Sequence, residues 1–92
     1  MRIVLKSNFS LGGPFSDGEI VLKEEDMSLR DLLGLVGRNS GLHIIDEKNG
    51  EVDSTFEIYV NEREYWIQPD SLGYRLRDGD EVDVRLVMFA GG

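Results

Sequence analysis

Residues 2–6, RIVLK, set Ile3 and Leu5 on one side of the chain and Arg2, Val4 and Lys6 on the other, the two-residue period of a half-buried strand. EIVLK at 19–23 repeats the pattern with Ile20 and Leu22 inward. The intervening SNFSLGGPFSDG carries Gly12, Gly13, Pro14 and Gly18 as loop punctuation, so two antiparallel strands joined by a long loop are predicted. The period then changes at MSLRDLLGLV, where Leu29, Leu32, Leu33 and Val36 fall at i, i+3, i+4 and i+7 on one helical face. Ser28 is placed as the N-cap, Asp31 suits the positive end of the helix, and Met27 is positioned to staple onto Leu32. Gly34 costs the interior about 1 kcal/mol, and Gly37, Asn39 and Gly41 offer exits, so the helix is predicted to end between 37 and 40.

Residues 42–54, LHIIDEKNGEVDS, read as a partly ordered connection with Ile44 and Ile45 inward and Asn49-Gly50 available for a tight turn. TFEIYV at 55–60 alternates Phe56, Ile58 and Val60 against Glu57 and Tyr59, and EYWI at 64–67 is expected as a short strand after the turn NERE. EVDVRLVMF at 81–89 points Val82, Val84, Leu86 and Met88 one way and Asp83, Arg85, Val87 and Phe89 the other, starting from a turn built on Asp78 and Gly79. The order strand, strand, helix, strand, short strand, strand leaves one helix to cover one face of the sheet, with a right-handed crossover through it. That order predicts an α+β fold of the β-grasp plan: a mixed sheet of four to five strands with one main helix packed on one face. The last strand is then central, paired with the first, and delivers Ala90-Gly91-Gly92 beyond the sheet.

Length and composition narrow the function. Ninety-two residues suit one domain over 1–92, because a chain of this size buries roughly 60–70% of its unfolded surface. With no cysteine, these residues hold no disulfide, thiolate metal site or sulfhydryl nucleophile. RIVLK begins at once without a signal peptide's apolar core, and no apolar run nears the ~20 residues of a membrane span, so a cytoplasmic protein is expected. In that setting the sequon match at Asn8-Phe9-Ser10 carries no meaning. A net charge of −8 repels phosphate backbones and anionic lipid, which disfavours nucleic acid and membranes and favours a protein partner with a basic face.

Candidate chemistry is sparse. His43 has no second histidine or cysteine beside it and reads as a surface or packing residue. The acidic groups Glu24-Glu25-Asp26 and Asp78-Asp80-Glu81 lack the ligand spacing of a calcium loop and read as solvated turn charge. Gly12-Gly13-Pro14 has neither the lysine of a phosphate loop nor the spacing of a dinucleotide fingerprint. Trp66, Tyr65, Tyr59 and Phe89 sit in acidic surroundings unsuited to single-stranded nucleic acid, and fit core packing plus part of a protein-docking face. Val87, Trp66 and Tyr59 are the candidate docking residues. What remains is the terminus. A carboxylate is a poor electrophile and needs activation, for example as a mixed anhydride with AMP, and Gly-Gly gives a narrow lead into an enclosing cleft. A flexible tail over 89–92 is expected.

VNERE near the end of one strand, LRDGDEVDV opening the last, and the final Gly91-Gly92 together resemble the small sulfur-carrier proteins. These are the MoaD/ThiS-like family of ubiquitin-like β-grasp proteins, typified by the small subunit of molybdopterin synthase and its relative in thiamine biosynthesis. The resemblance is strongest over 55–92 and agrees with the element order of the whole chain. It implies a carrier and co-substrate without catalytic residues or a metal of its own. A ubiquitin-activating-type adenylyltransferase using ATP and Mg2+ would adenylate the terminal carboxylate and lead it to a thiocarboxylate. A synthase large subunit or another sulfur acceptor would then receive the sulfur. Carried over, Gly92 is the adenylation and thiocarboxylate residue, and Gly91, Ala90 and Phe89 occupy the activator's cleft. Length leans to the molybdenum cofactor branch, although Leu86-Val87-Met88-Phe89-Ala90 stands where that branch commonly has a proline pair. Two other readings stay open: a protein modifier conjugated through the same glycine, and a non-catalytic binding module whose glycine end is incidental.

Overall fold

The computed structural model describes residues 1–9, 11, 15 and 18–87. Within them the elements run β1 (Arg2–Ser7), β2 (Glu19–Val21), α1 (Leu29–Ser40), β3 (Phe56–Val60), β4 (Arg63–Glu64) and β5 (Glu81–Leu86), with short 3-10 turns at Tyr65–Ile67 and Ser71–Gly73. The strands form one mixed sheet in the order β2-β1-β5-β3-β4. β5 is central: it runs parallel to β1 with Leu5 opposite Val82, and antiparallel to β3 with Val60 opposite Val82 and Ile58 opposite Val84. This is the β-grasp arrangement that the element order predicts.

The two periods of the sequence meet in one core. Alternation puts Ile3, Leu5, Ile20, Ile58, Val60, Val82 and Val84 on one sheet face, and the helical spacing puts Leu29, Leu32, Leu33 and Val36 against them, all buried in a single cluster. Each such side chain contributes on the order of 1.5–3 kcal/mol relative to exposure. The helix begins with a reciprocal capping box, in which Ser28 Oγ accepts from Asp31 N–H at 3.1 Å and Asp31 Oδ2 accepts from Ser28 N–H. It ends at Ser40, with Gly41 in the left-handed conformation as C-cap. Leu29 N–H donates to Tyr74 O and Leu76 N–H to Met27 O, each at 2.9 Å, so the helix start is stitched to the segment leading into β5.

Four expectations are corrected. Residues 64–67 do not form a strand. β4 pairs only Arg63 and Glu64 with β3, after a turn whose two residues, Asn61 and Glu62, both have positive φ as a tight hairpin requires. Tyr65 then turns inward against the core, Gln68 N–H closes on Tyr65 O at 3.1 Å, and Pro69 has no N–H to continue a ladder. Residues 42–54 are better ordered than a loose connection: buried Ile44 anchors them, Ile45 bridges Val52, and Asp46 N–H donates to Glu51 O at 2.7 Å across the Asn49-Gly50 turn. The second strand, Glu19–Val21, is shorter than 19–23, although buried Leu22 carries the pairing one step further through reciprocal bonds with Met1.

Asp80 is the fourth correction, since it is only 8% exposed. Its carboxylate accepts from Tyr74 OH at 2.9 Å, Asn61 Nδ2 at 3.0 Å and Arg77 N–H at 2.8 Å, which is how a buried charge is tolerated. Asp78, by contrast, is exposed and accepts from Arg2 N–H at 2.6 Å, clasping the turn to β1. Burial first and donation to Asp80 second hold the Tyr74 hydroxyl above its ordinary value near 10. A raised folded-state pKa means that the contribution of this phenol is complete below about pH 10 and is lost as pH rises through the folded pKa.

Tyr74→Phe is expected to lower unfolding stability by about 1.5–3 kcal/mol in urea titration at neutral pH, and to flatten the alkaline loss of stability seen in the wild type. Two helix glycines should respond with opposite signs. A methyl at Gly37 would lie 2.7 Å from Leu42 O, a backbone atom, so Gly37→Ala is expected to cost about 1–3 kcal/mol. A methyl at Gly34 meets only the far end of Arg38 at 3.6 Å, so Gly34→Ala is expected to gain up to ~1 kcal/mol by the same measurement.

Candidate functional site

The residues expected to carry chemistry, Gly92, Gly91, Ala90 and Phe89, lie outside the described residues, as does Met88. What the structure places is the base from which they depart. β5 is bonded along both edges, and the last described bond on the β3 side is Val87 N–H to Thr55 O at 2.7 Å. At its start, Asn61 extends the β3 ladder: its N–H donates to Glu81 O at 2.8 Å and its side-chain oxygen accepts from Glu81 N–H at 2.9 Å. Sequence reading missed Asn61 and Asp80, and the available signal was an Asn directly after a strand and an Asp directly before one.

The sheet face opposite the helix is polar by the same alternation that makes the inner face apolar. Arg2 pairs with Glu19 at 2.6 Å, Lys6 with Glu81 at 2.8 Å and Arg85 with Asp83 at 2.9 Å. Such exposed pairs add little stability, and they lay a pattern of alternating charge across this face. Tyr59 sits among them. Its hydroxyl donates to Glu57 at 2.7 Å, the Arg85 guanidinium lies 5.6 Å from its ring centroid, and it lines a 230 Å³ depression with Glu62, Glu81, Asp83 and Arg85. The hydrogen bond to Glu57 holds the Tyr59 phenol above its ordinary value, and the bond to Asp83 raises Arg85 likewise.

Trp66 occupies different ground. It is 62% exposed, its neighbour Ile67 is 53% exposed, and it lines a 310 Å³ groove with Val52, Asp53, Ser54, Phe56, Glu57, Ile58, Glu64 and Tyr65. In that groove, Thr55 N–H and then its hydroxyl hold the Asp53 carboxyl below its ordinary value. Tyr59 and Trp66 therefore line separate depressions, which share Glu57 as a neighbour through the Tyr59 hydrogen bond, and half-buried Val87 lines neither. Val21, 72% exposed on edge strand β2, is a third apolar point of the described surface. Among the described residues, no three His, Asp or Glu side chains gather as a metal-ligand set. No helix among them is long and apolar enough to cross a membrane.

The scaffold so defined is a ubiquitin-like β-grasp domain of the α+β class. Solved structures share it along nearly their whole length. The crystal structure of SAMP1 from Haloferax volcanii superposes with a TM-score of 0.67 at 17% identity, covering 100% of both chains. That of H. volcanii small archaeal modifier protein 1 gives 0.64 at 16% identity, covering 95% of this chain and 98% of that one. Sulfolobus solfataricus Urm1 gives 0.63 at 22% identity, covering 95% of this chain and 100% of that one. No protein-family model matches the chain, and no curated protein matches it.

Trp66 is the only tryptophan, which makes the groove self-reporting. Its emission is expected at the long wavelengths of a hydrated indole and to be quenched readily by acrylamide. Trp66→Ala should change unfolding stability by no more than about 0.5 kcal/mol, because the side chain is exposed in the free chain. A blue-shifted, quencher-protected emission of the free protein would contradict the exposure described here.

Proposed function

We propose that the chain is a carrier that works through the α-carboxylate of Gly92, with sulfur transfer in molybdopterin or tungstopterin (or thiamine-type) cofactor biosynthesis as its chemistry. One observation supports this above the others. The strand that precedes Gly91-Gly92 in sequence is the central strand of a ubiquitin-like β-grasp sheet, bonded on both edges, which gives the chain end a rigid base.

The chemistry follows from the weakness of a carboxylate as an electrophile. A Gly92 carboxylate oxygen attacks the α-phosphorus of ATP and displaces pyrophosphate, giving an acyl-adenylate. A sulfur nucleophile at the level of hydrosulfide then attacks the acyl carbon and expels AMP, leaving a thiocarboxylate. A ubiquitin-activating-type adenylyltransferase supplies the ATP and Mg2+ site and the cations that offset charge in the transition state, while this chain supplies the acyl group. Gly91, Ala90 and Phe89 pass through the cleft of that partner. Tyr59, Val87 and Trp66 are the docking residues, and the carboxylates around the two depressions, Glu57, Glu62, Glu64 and Asp83, favour a basic surface opposite. A synthase large subunit that receives the sulfur is expected to meet the same residues.

A second reading has its own support. The likeness to small archaeal modifier protein 1 favours conjugation of the same activated glycine to a lysine amine, forming an isopeptide. The two readings separate in tryptic digests, because the last Lys or Arg of this chain is Arg85. A modifier leaves residues 86–92 as a remnant on target lysines; a sulfur carrier leaves none.

Deletion of Gly92 is expected to leave the urea unfolding midpoint unchanged and to abolish ATP–pyrophosphate exchange with the activating enzyme from the same cells. Exchange that persists in the deleted protein would remove the basis of both readings and favour a binding module. Tolerance of a C-terminal tag would point the same way.

A further inference from the structure

Asn61 and Asn8 stand at opposite ends of β5 and make the same kind of contact. At the start of the strand, the Asn61 side chain takes the Glu81 N–H. At the far end, β1 stops pairing at Ser7, opposite Val84, because the chain turns away into the 7–18 loop. This leaves Leu86 facing the β1 side without a backbone partner. The Asn8 side-chain amide fills that rung from both directions: its Oδ1 accepts from Leu86 N–H at 2.8 Å and its Nδ2 donates to Leu86 O at 3.1 Å. A side-chain amide has the donor and acceptor of a peptide group in the same plane, so one residue replaces a strand extension. The reciprocity also fixes the orientation of the amide, since the flipped form would set donor against donor and acceptor against acceptor.

Neighbouring contacts brace the clamp. Ser7 Oγ donates to Phe9 O at 2.5 Å, shaping the bend that presents Asn8. The Phe9 ring lies 6.3 Å from Phe56 at an interplanar angle of 56°, and Phe56 is the residue opposite Leu86 in the β3–β5 register. On that other edge, Val87 N–H is held by Thr55 O. Leu86 and Val87 are thus anchored from opposite sides, one by a side chain 78 residues away in sequence.

We propose that Asn8 is a positioning residue for the C-terminal carboxylate: by bonding both polar groups of the Leu86 backbone it fixes the point at which the chain leaves the sheet. Residues 88–92 then set the reach beyond the last anchored amide, at most about 17 Å if fully extended. Release of Leu86 leaves the exit point held on the β3 side alone, through Val87 N–H and Thr55 O, and the looser exit lowers the fraction of docked complexes whose carboxylate meets ATP in near-attack geometry. The docking contacts are kept, because Val87 retains its bond to Thr55 O, and Tyr59, Trp66 and the outer-face carboxylates make no hydrogen bond to Asn8. The positioning role rests on Gly92 being the reacting end; the clamp itself does not.

The test has two arms on full-length chains. Amide hydrogen exchange by NMR in Asn8→Ala is expected to accelerate Leu86 roughly tenfold with Val82 and Val84 unchanged. Asn8→Asp, which keeps an acceptor for Leu86 N–H and opposes Leu86 O with charge, should show a smaller acceleration. Unchanged exchange at Leu86 in Asn8→Ala would overturn the clamp. Equal acceleration at all three amides would make Asn8 a general sheet support and overturn its positioning role. In ATP–pyrophosphate exchange with the activating enzyme, Asn8→Ala is expected to lower kcat ~3- to 10-fold at unchanged KM for the chain. An unchanged kcat, or a raised KM alone, would overturn the positioning role. If the wild type supports no exchange that depends on Gly92, the carboxylate reading and the positioning role fall together, and Leu86 exchange still decides the clamp.

Discussion

The parallel pairing of β1 with β5 is the contact on which the rest of the molecule depends. It joins Val4–Ser7 to Glu81–Val84, the two ends of the sequence, and it makes the sheet continuous. Without it, β2 and β1 form an isolated hairpin, and β3, β4 and β5 a separate ribbon. Neither has a second layer to bury its apolar face, whereas together they give α1 a floor of Ile3, Leu5, Ile58, Val60, Val82 and Val84. Contacts this distant in sequence form only against a large loss of chain entropy, which the shared core has to offset. The position at which β5 ends is therefore a property of the whole fold.

Around that pairing, the chain separates its two faces by strict alternation. Inward residues Ile3, Leu5, Phe56, Ile58, Val60, Val82 and Val84 are apolar and buried, and outward residues include Lys6, Glu57, Tyr59, Asp83 and Arg85. The outward set holds itself in pairs, so a partner docking there as proposed would exchange existing ion pairs for new ones. Selectivity of docking follows more than strength. Asp80 is the exception to the division. It sits at the seam where β5 begins and satisfies its charge with Tyr74, Asn61 and the Arg77 N–H, tying the segment before β5 to the β3–β4 turn.

Most of the fold was legible because period and burial agree. Ile3 and Leu5, Phe56, Ile58 and Val60, and Val82 and Val84 alternate as strands, and Leu29, Leu32, Leu33 and Val36 fall on one helical stripe capped by Ser28 and Asp31. What local pattern could not show was partnership across the chain. Tyr65-Trp66-Ile67 looks like a strand by composition, yet β4 ends where Tyr65 is drawn to the core and Pro69 closes the ladder. Asp80 looks like turn charge until Tyr74 and Asn61 are brought beside it. Asn8 reads as part of a sequon match, and its pairing with Leu86 emerges only when β1 and β5 are side by side. Of the candidate docking residues, Trp66 is exposed and Tyr59 half-buried, and the two line separate depressions.

The central claim is that Gly92 is the reacting end of the molecule, and the most direct measurement is intact mass spectrometry of the untagged protein isolated from its own cells. The account predicts a fraction of the chain with sulfur in place of one oxygen, localised by fragmentation to the C-terminal peptide. An unmodified carboxylate in every molecule, persisting after incubation with ATP, Mg2+ and the activating enzyme, would contradict it.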